Sequence, residues 1–215
     1  MSPVRSEARP RILPIALMLL AAVATIVSAI SPYDRMTWWL EVTPVLIGFV
    51  VLAATWSRFP LSTLLYCLLF LHALVLIVGG HYTYARVPIG FTIQELLDLA
   101  RNPYDRLGHF AQGFVPAILA REVLLRCSPL RPGRWLFAIV TSFCLAFSAL
   151  YELIEWWVAV VAGDGSTDFL ALQGDPWDTQ WDMFTALLGA IAAQLLLRRW
   201  HDRDLRMLQG QGTLP

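Results

Sequence analysis

Six long apolar runs constrain the fold of this chain more than any other feature of its sequence. A helix needs about 20 mostly apolar residues to cross the hydrocarbon core of a bilayer. The runs comprise residues 12–30, 38–56, 61–80, 107–125, 135–162 and 182–198. Backbone N–H and C=O groups in lipid must find partners within their own segment, which favours helices over strands. We therefore predict an all-α, polytopic transmembrane bundle of about six spans.

The composition supports a membrane protein and excludes several functions. Of the 215 residues, 57% are hydrophobic and 15% are charged, whereas soluble domains carry about 45–50% and about 25%. The 16 acidic and 16 basic residues cancel, so the chain lacks the basic excess of a nucleic-acid-binding protein. Every basic residue is arginine, which excludes lysine-dependent catalysis. The expected partner is the lipid bilayer.

The distribution of arginine predicts the orientation of the chain. With a cytoplasmic N-terminus, the segments on the cytoplasmic side contain 12 arginines and the outer segments contain 4. An excess of basic residues marks the cytoplasmic side of membrane proteins. We therefore expect a cytoplasmic N-terminal tail at residues 1–11, a transmembrane domain at residues 12–200 and a cytoplasmic C-terminal tail at residues 201–215.

Three short stretches of the chain resemble one another. Residues 31–34 are Ser-Pro-Tyr-Asp, residues 102–105 are Asn-Pro-Tyr-Asp and residues 175–178 are Asp-Pro-Trp-Asp. A capping side chain, a proline at the first helical position and an acid near the positive end of the dipole are typical of a helix start. The stretches are either three convergent helix starts or the marks of three helical hairpins related by internal symmetry.

A short amphipathic helix is expected between the third and fourth runs. Thr92 and Glu95 have the spacing of a capping box at a helix start. The residues that follow, as far as Arg101, separate into an apolar face and a polar face at helical spacing. We predict that this helix lies at the outer surface of the membrane.

Ionisable side chains near the outer ends of the runs are the candidate functional residues, because such groups are costly in a membrane and usually serve a function. At three of the runs, two of them lie about one helical turn apart, within the run or just before it. The set comprises His81, Asp105, His109, Glu152, Glu155, Asp178 and Asp182. Its five carboxylates cannot all stay ionised at close range without counter-charge. A divalent cation, shared protons or the nearby Arg86, Arg101 and Arg106 would supply it.

A divalent metal ion is our first interpretation of this set. Helix bundles build metal centres from ligand pairs at i,i+3 and i,i+4 on facing helices, and carboxylates with imidazole suit Mg, Mn, Ca, Zn or Fe. The expected metal ligands are His81, His109, Glu152, Asp178 and Asp182. Glu155 or Asp105 would be the general base that activates a metal-bound water. A proton or ion relay and structural pairing of the acids are the alternatives.

Four segments together resemble a known family. They are residues 81–88, 102–113, 151–157 and 173–183, and they resemble the YjdF family of bacterial inner-membrane proteins, a domain of unknown function. The resemblance covers roughly residues 15–200. It implies a multi-span protein of the bacterial inner membrane, and it supplies neither a reaction nor a ligand.

The leading functional hypothesis is a metal-dependent membrane enzyme whose outward-facing acidic and histidine site acts on a lipid or envelope intermediate. One alternative is an ion- or proton-coupled transporter that uses the same carboxylates. A transporter needs a polar route to the inner side, for which the chain offers only Ser148, Thr141, His72 and Glu122. The other alternative is a non-catalytic membrane component whose polar core fixes helix packing.

Overall fold

The computed structural model describes residues 12–162 and 173–210, and these residues form helices and no β-strand. The helices are α1 (Ile12–Ser28), α2 (Arg35–Thr55), α3 (Thr63–Tyr82), α4 (Pro88–Leu96), α5 (Tyr104–Cys127), α6 (Arg134–Ala162) and α7 (Asp178–Gly210), with a 3₁₀ helix at Tyr84–Arg86. The predicted all-α class is therefore confirmed. The outer parts of the predicted tails, at residues 1–11 and 211–215, lie outside the described residues.

Four of these helices, α2, α3, α6 and α7, are long and apolar enough to cross a membrane. Helix α1 is also apolar but has only 17 residues. Helix α5 has 24 residues and carries charged side chains towards both ends, where they lie beyond its apolar middle. Together these six helices agree with the predicted bundle of about six spans.

Helix α5 is the central helix of the bundle, since it packs against α3, α6 and, most extensively, α7. Small residues allow α5 and α7 to approach backbone to backbone. A Cβ added at Gly113 would lie 1.8 Å from the carbonyl oxygen of Ala186, and one at Gly189 would lie 2.1 Å from that of Phe110. This close crossing holds the first turns of α5 beside the first turns of α7.

The starts of α5 and α7 share one capping arrangement. The backbone N–H of Tyr104 donates to Asn102 Oδ1 at 3.0 Å, and that of Trp177 donates to Asp175 Oδ1 at 2.9 Å. These are local turns in which the first side chain of the motif bonds the backbone two residues on. In both motifs the proline precedes the helix, so our prediction that it is the first helical residue was wrong.

The start of α2 differs from the other two. Here Asp34, not Ser31, is the capping residue, and the backbone N–H of Thr37 donates to its Oδ1 at 2.6 Å. Ser31 instead adopts a left-handed backbone conformation with φ of 50°. The three stretches therefore begin helices at different registers, and the hypothesis of three related hairpins stays a prediction.

The short helix between α3 and α5 exists, but its predicted start was wrong. Helix α4 begins at Pro88, because proline is favoured at the first helical position, and it ends at Leu96. Thr92 is therefore inside the helix and caps nothing at its start. Ile89 and Leu96 are 60% and 80% exposed, as expected of apolar side chains on a helix at a membrane surface.

Helix α7 continues to Gly210, beyond the predicted end of the transmembrane domain at residue 200. His201 is fully buried. Its Nδ1 accepts a hydrogen bond from Arg121 at 2.8 Å and its Nε2 donates to Glu122 at 3.0 Å. Because arginine only donates, these contacts define the neutral Nε2–H tautomer. The network ties the end of α7 to α5, at the end of the bundle opposite the predicted site.

Candidate metal centre

Helices α5 and α7 bring three potential ligands together. Asp105 and His109 lie one turn apart on α5 and face Asp182 on α7. Each of the three offers one ligand atom, and these atoms lie within 4.8 Å of one another. All three residues are buried. The arrangement has the size and composition of a metal site built from facing helices.

Helix α6 adds two acids to the same place. Glu152 and Glu155 form a second group with His109, again with ligand atoms within 4.8 Å of one another. The Nδ1 atom of His109 lies 3.7 Å from Glu152 Oε1, and its Nε2 atom lies 3.8 Å from Asp105 Oδ1. Since His109 belongs to both groups, we describe these five residues as one cluster, the acidic centre.

Two buried oxygens of the acidic centre have no hydrogen-bond partner among the described residues. They are Oδ1 of Asp182 and Oε1 of Glu152. Buried polar atoms in native proteins are almost always hydrogen-bonded, and an unsatisfied one indicates strain, catalysis or a missing water or ion. Both residues belong to ligand groups that include His109. The centre is therefore suited to a bound cation.

The imidazole of His109 is oriented for ligation by Gln112. Its Nδ1 lies 3.2 Å from Gln112 Oε1, and an amide oxygen can only accept, so Nδ1 carries the proton. The lone pair is then on Nε2, the atom nearer to Asp105. Metal-binding histidines usually donate their other ring N–H to a protein oxygen in this way.

Arg101 supplies part of the counter-charge. It contacts Asp105 Oδ2 at 3.1 Å and forms a second ion pair with Asp178. Asp178 is buried and lies outside both ligand groups. The structure thus pairs this predicted metal ligand with arginine and brings Asp182, one turn further along α7, to the centre instead.

The loop before α7 is held by ion pairs of Asp175 with Arg106 and, at 3.7 Å, with Arg101. Arg106 donates to Asp175 Oδ2 at 2.6 Å. The backbone N–H of Trp177 and, after it, the guanidinium of Arg106 hold the pKa of the Asp175 carboxyl below its usual value. Asp175 is therefore a loop anchor and not part of the acidic centre.

His81 is not brought into the acidic centre. Its Nδ1 lies 2.9 Å from the carbonyl oxygen of Ser28, and its ring packs edge-on against Tyr82. Neither ligand group of the described residues includes it. The sequence placed His81 at the outer end of α3 but could not predict the rotation of that helix about its axis.

Glu41 is a buried acid that our sequence analysis missed. It is 4% exposed, and the side chains of Tyr84 and Tyr151 lie close to its carboxyl group. The Tyr84 ring fits between two glycines, because a Cβ at Gly79 would lie 2.3 Å and one at Gly108 2.7 Å from ring carbons. A glutamate within the apolar run 38–56 was the available signal, since ionisable residues in spans are usually functional.

A cavity of about 380 Å³ adjoins the acidic centre. Asp105, His109, Glu155 and Glu41 lie on its wall, so these polar groups are open to a bound molecule. Carboxylate oxygens with one imidazole nitrogen form a donor set that suits Mg, Mn, Ca, Zn or Fe. The arrangement can hold a cation next to a space of ligand size.

Comparison with known proteins identifies the family. Residues 13–203 match the family described as "Predicted membrane protein (DUF2238)". The chain belongs to this family. The protein described as "Inner membrane protein YjdF" from Escherichia coli (strain K12) is 56% identical over 181 residues, which cover 84% of this chain and 87% of that protein. The resemblance to the YjdF family is thereby confirmed, and the chain is an integral membrane protein. No solved structure matches it.

Proposed function

We propose that the acidic centre binds a divalent metal ion and that the protein is a metal-dependent membrane enzyme acting on a lipid or envelope intermediate. The observation that carries this proposal is the pair of buried, unpartnered oxygens on Asp182 and Glu152, both grouped with His109. A cation held by His109 Nε2, Asp105 and Asp182 would satisfy the Asp182 oxygen. It would also offset a cluster of carboxylates in which Asp105 is paired with Arg101.

The geometry supports a revised assignment of roles. His109 Nε2, Asp105 and Asp182 are the best ligand set, because their atoms converge and His109 is oriented by Gln112. Glu152 lies beside the other ring nitrogen of His109, with its Oε1 3.7 Å from Nδ1. Since Asp105 is engaged by Arg101 and by ligation, Glu155 is the better general base, lying on the cavity wall beside His109. A bound cation would supply Lewis-acid activation of substrate or water.

The arginine distribution supports an orientation in which this centre lies on the outer side of the membrane and both termini are cytoplasmic. Cysteine accessibility tests this orientation. A cysteine introduced at Leu96, which is 80% exposed at the end of α4, should react with an impermeant maleimide on intact spheroplasts. A cysteine at Trp135, which is 78% exposed at the start of α6, should react only after lysis. The opposite pattern would reverse the topology.

A proton or ion carrier is the second candidate, because Ser148 extends the polar groups inward. Its Oγ is buried and has no hydrogen-bond partner among the described residues, and it lies one turn from Glu152 on α6. Further in, Gln194 donates to Thr141 at 2.9 Å. Both partners of that bond are satisfied, so the polar route is discontinuous and this function ranks second.

Metal analysis of the purified protein tests the first proposal. The protein is loaded with each candidate metal in turn, desalted and measured by mass spectrometry of the elements. We expect a stoichiometric metal in the wild type that is lost in Asp182→Asn and His109→Ala. The control Asp175→Asn removes a carboxylate from the loop anchor and should keep the metal. No metal in the wild type, or equal metal in all variants, would reject the proposal. Uptake of an ion into liposomes that is coupled to protons and needs no bound metal would favour the carrier.

A further inference from the structure

The cavity beside the acidic centre has one polar end and a long apolar body. Its walls come from α1, α2, α3, α5 and α6, and most of its polar groups lie near Glu41, Asp105 and Glu155. The otherwise apolar body also contains His72 and Thr55, and the buried Nε2 of His72 has no hydrogen-bond partner among the described residues. Among the described helices, α2 packs along α3 but makes no extensive contact with α5 or α6. The cavity therefore lies where α2 stands apart from the central helix, a place that a ligand can enter sideways from the bilayer.

The length of the cavity matches a hydrocarbon chain. On α5 its lining residues extend from Asp105 to Val123, which at 1.5 Å per residue corresponds to about 27 Å. The hydrocarbon core of a bilayer is about 30 Å thick. The apolar body thus runs through most of the membrane. It is much longer than a small polar substrate, which would occupy only the polar end of the cavity.

We infer that this cavity is the chain-binding site of a long-chain lipid whose head group lies at the acidic centre. The head would meet the metal ligands and the Glu41–Tyr84–Tyr151 group, while the chain would lie along α2 and α5 towards Val123. The chemistry at the head rests on the proposed function, whereas the chain site rests on the cavity alone. The substrate class of the enzyme is then a lipid and not a water-soluble intermediate.

Gly48 offers a way to close the cavity at a known depth. It lines the cavity, and a Cβ added to it would meet no atom within 4 Å. It follows Glu41 by seven residues on α2, or about 10 Å along the helix. A phenylalanine at this position should fill the chain site without a clash. Val50 on the same helix is 69% exposed and is not part of the cavity wall, so Val50→Phe is the matched control.

Binding of two alkyl phosphates of different length tests the inference. Octyl phosphate and octadecyl phosphate are titrated into detergent-purified protein and followed by native mass spectrometry. Octyl chains end near the depth of Gly48, so Gly48→Phe should bind octyl phosphate like the wild type. Octadecyl phosphate should bind Gly48→Phe about tenfold more weakly or worse, because the ring occupies the space of the chain. Val50→Phe should bind both like the wild type.

Equal octadecyl phosphate binding by wild type and Gly48→Phe would overturn the inference, as would equal losses in Gly48→Phe and Val50→Phe. An unchanged melting temperature of Gly48→Phe shows that any loss is not due to unfolding. Polyprenyl phosphate and phosphatidylglycerol are then used as competitors. Displacement of octadecyl phosphate by either supports the inference and identifies the chain type, and displacement by neither contradicts it.

The same samples separate this inference from the proposed function. If the wild type binds no metal but Gly48→Phe still discriminates between the two chain lengths, the metal proposal fails and the chain site stands. If metal binds stoichiometrically and chain length has no effect in any variant, the chain site fails and the metal proposal stands. Gly48→Phe should keep its metal, since it changes only the apolar wall.

Discussion

The substitution Gly113→Ala tests how the crossing of α5 and α7 builds the acidic centre. An added Cβ would lie 1.8 Å from the carbonyl oxygen of Ala186, whereas ordinary van der Waals contact begins at 3.4 Å, a shortfall of 1.6 Å. The atoms that it meets belong to the backbone and cannot rotate away. The two helices must therefore separate at this point. His109 and Asp182 lie one turn before Gly113 and Ala186, so the separation reaches the ligands directly.

The expected cost follows from two opposing effects. Overpacking a tight interior costs about 1–3 kcal/mol, and a clash with backbone belongs at the upper end. Replacing a helical glycine by alanine gains about 0.5–1 kcal/mol. We therefore expect Gly113→Ala to lower the free energy of unfolding by about 2 kcal/mol. The matched control is Gly48→Ala, where no atom lies within 4 Å and only the gain applies.

The free energy of unfolding of both variants is measured in mixed micelles. Sodium dodecyl sulfate is titrated in, and unfolding is followed by tryptophan fluorescence. Metal content is measured on the same samples. Gly113→Ala should lose stability and metal together, and Gly48→Ala should keep both. A Gly113→Ala protein as stable as Gly48→Ala, with its metal retained, would refute the argument that this crossing sets the ligand geometry.

Three further substitutions test the polar contacts. Arg101→Leu leaves Asp105 and Asp178 buried without their arginine and should cost about 3–5 kcal/mol of unfolding free energy in the same micelle titration. His201→Leu removes a donor to a buried carboxylate, so it should cost about 1–3 kcal/mol while metal content stays unchanged. The depressed pKa of Asp175 contributes stability above its unfolded pKa that is lost as pH falls through the folded value. Asp175→Asn should accordingly flatten the acid side of a melting-temperature profile against pH.

The helices could be predicted because apolar runs of this length have one stable form in lipid. Their ends could not be predicted equally well. The last run ends at residue 198, yet α7 continues to Gly210, because contacts such as His201 with Glu122 hold a polar helix against α5. Helix α4 begins at Pro88, one turn before the expected capping residue Thr92, because proline is favoured at the first helical position. In both cases a residue outside the local pattern, His201 for α7 and Pro88 for α4, determined where the helix ends or begins.

Only part of the acidic centre could be predicted, because helical spacing gives the neighbours within one helix and not those between helices. Helical spacing puts Asp105 beside His109 on one face of α5, and the contacts confirm that they are neighbours. Spacing does not say which acid an arginine will neutralise, so Asp178 was expected at the centre although it pairs with Arg101. Nor does spacing give the rotation of one helix relative to another. His81 contacts Ser28 and lies outside the acidic centre, whereas Glu41, for which the sequence analysis expected no role, lies on the cavity wall.

The molecule itself contains a comparison that favours a ligand at the acidic centre over simple structural pairing. At the opposite end of the bundle, Glu122 is also fully buried, but both of its oxygens are hydrogen-bonded: Oε1 accepts from Arg126 at 2.8 Å and Oε2 accepts from His201 at 3.0 Å. That carboxylate shows how this fold satisfies a structural buried acid. Asp182 and Glu152 each keep one buried oxygen without a hydrogen-bond partner among the described residues. A purely structural cluster gains nothing from such oxygens, whose desolvation costs about 1–3 kcal/mol each, whereas a cation site requires them.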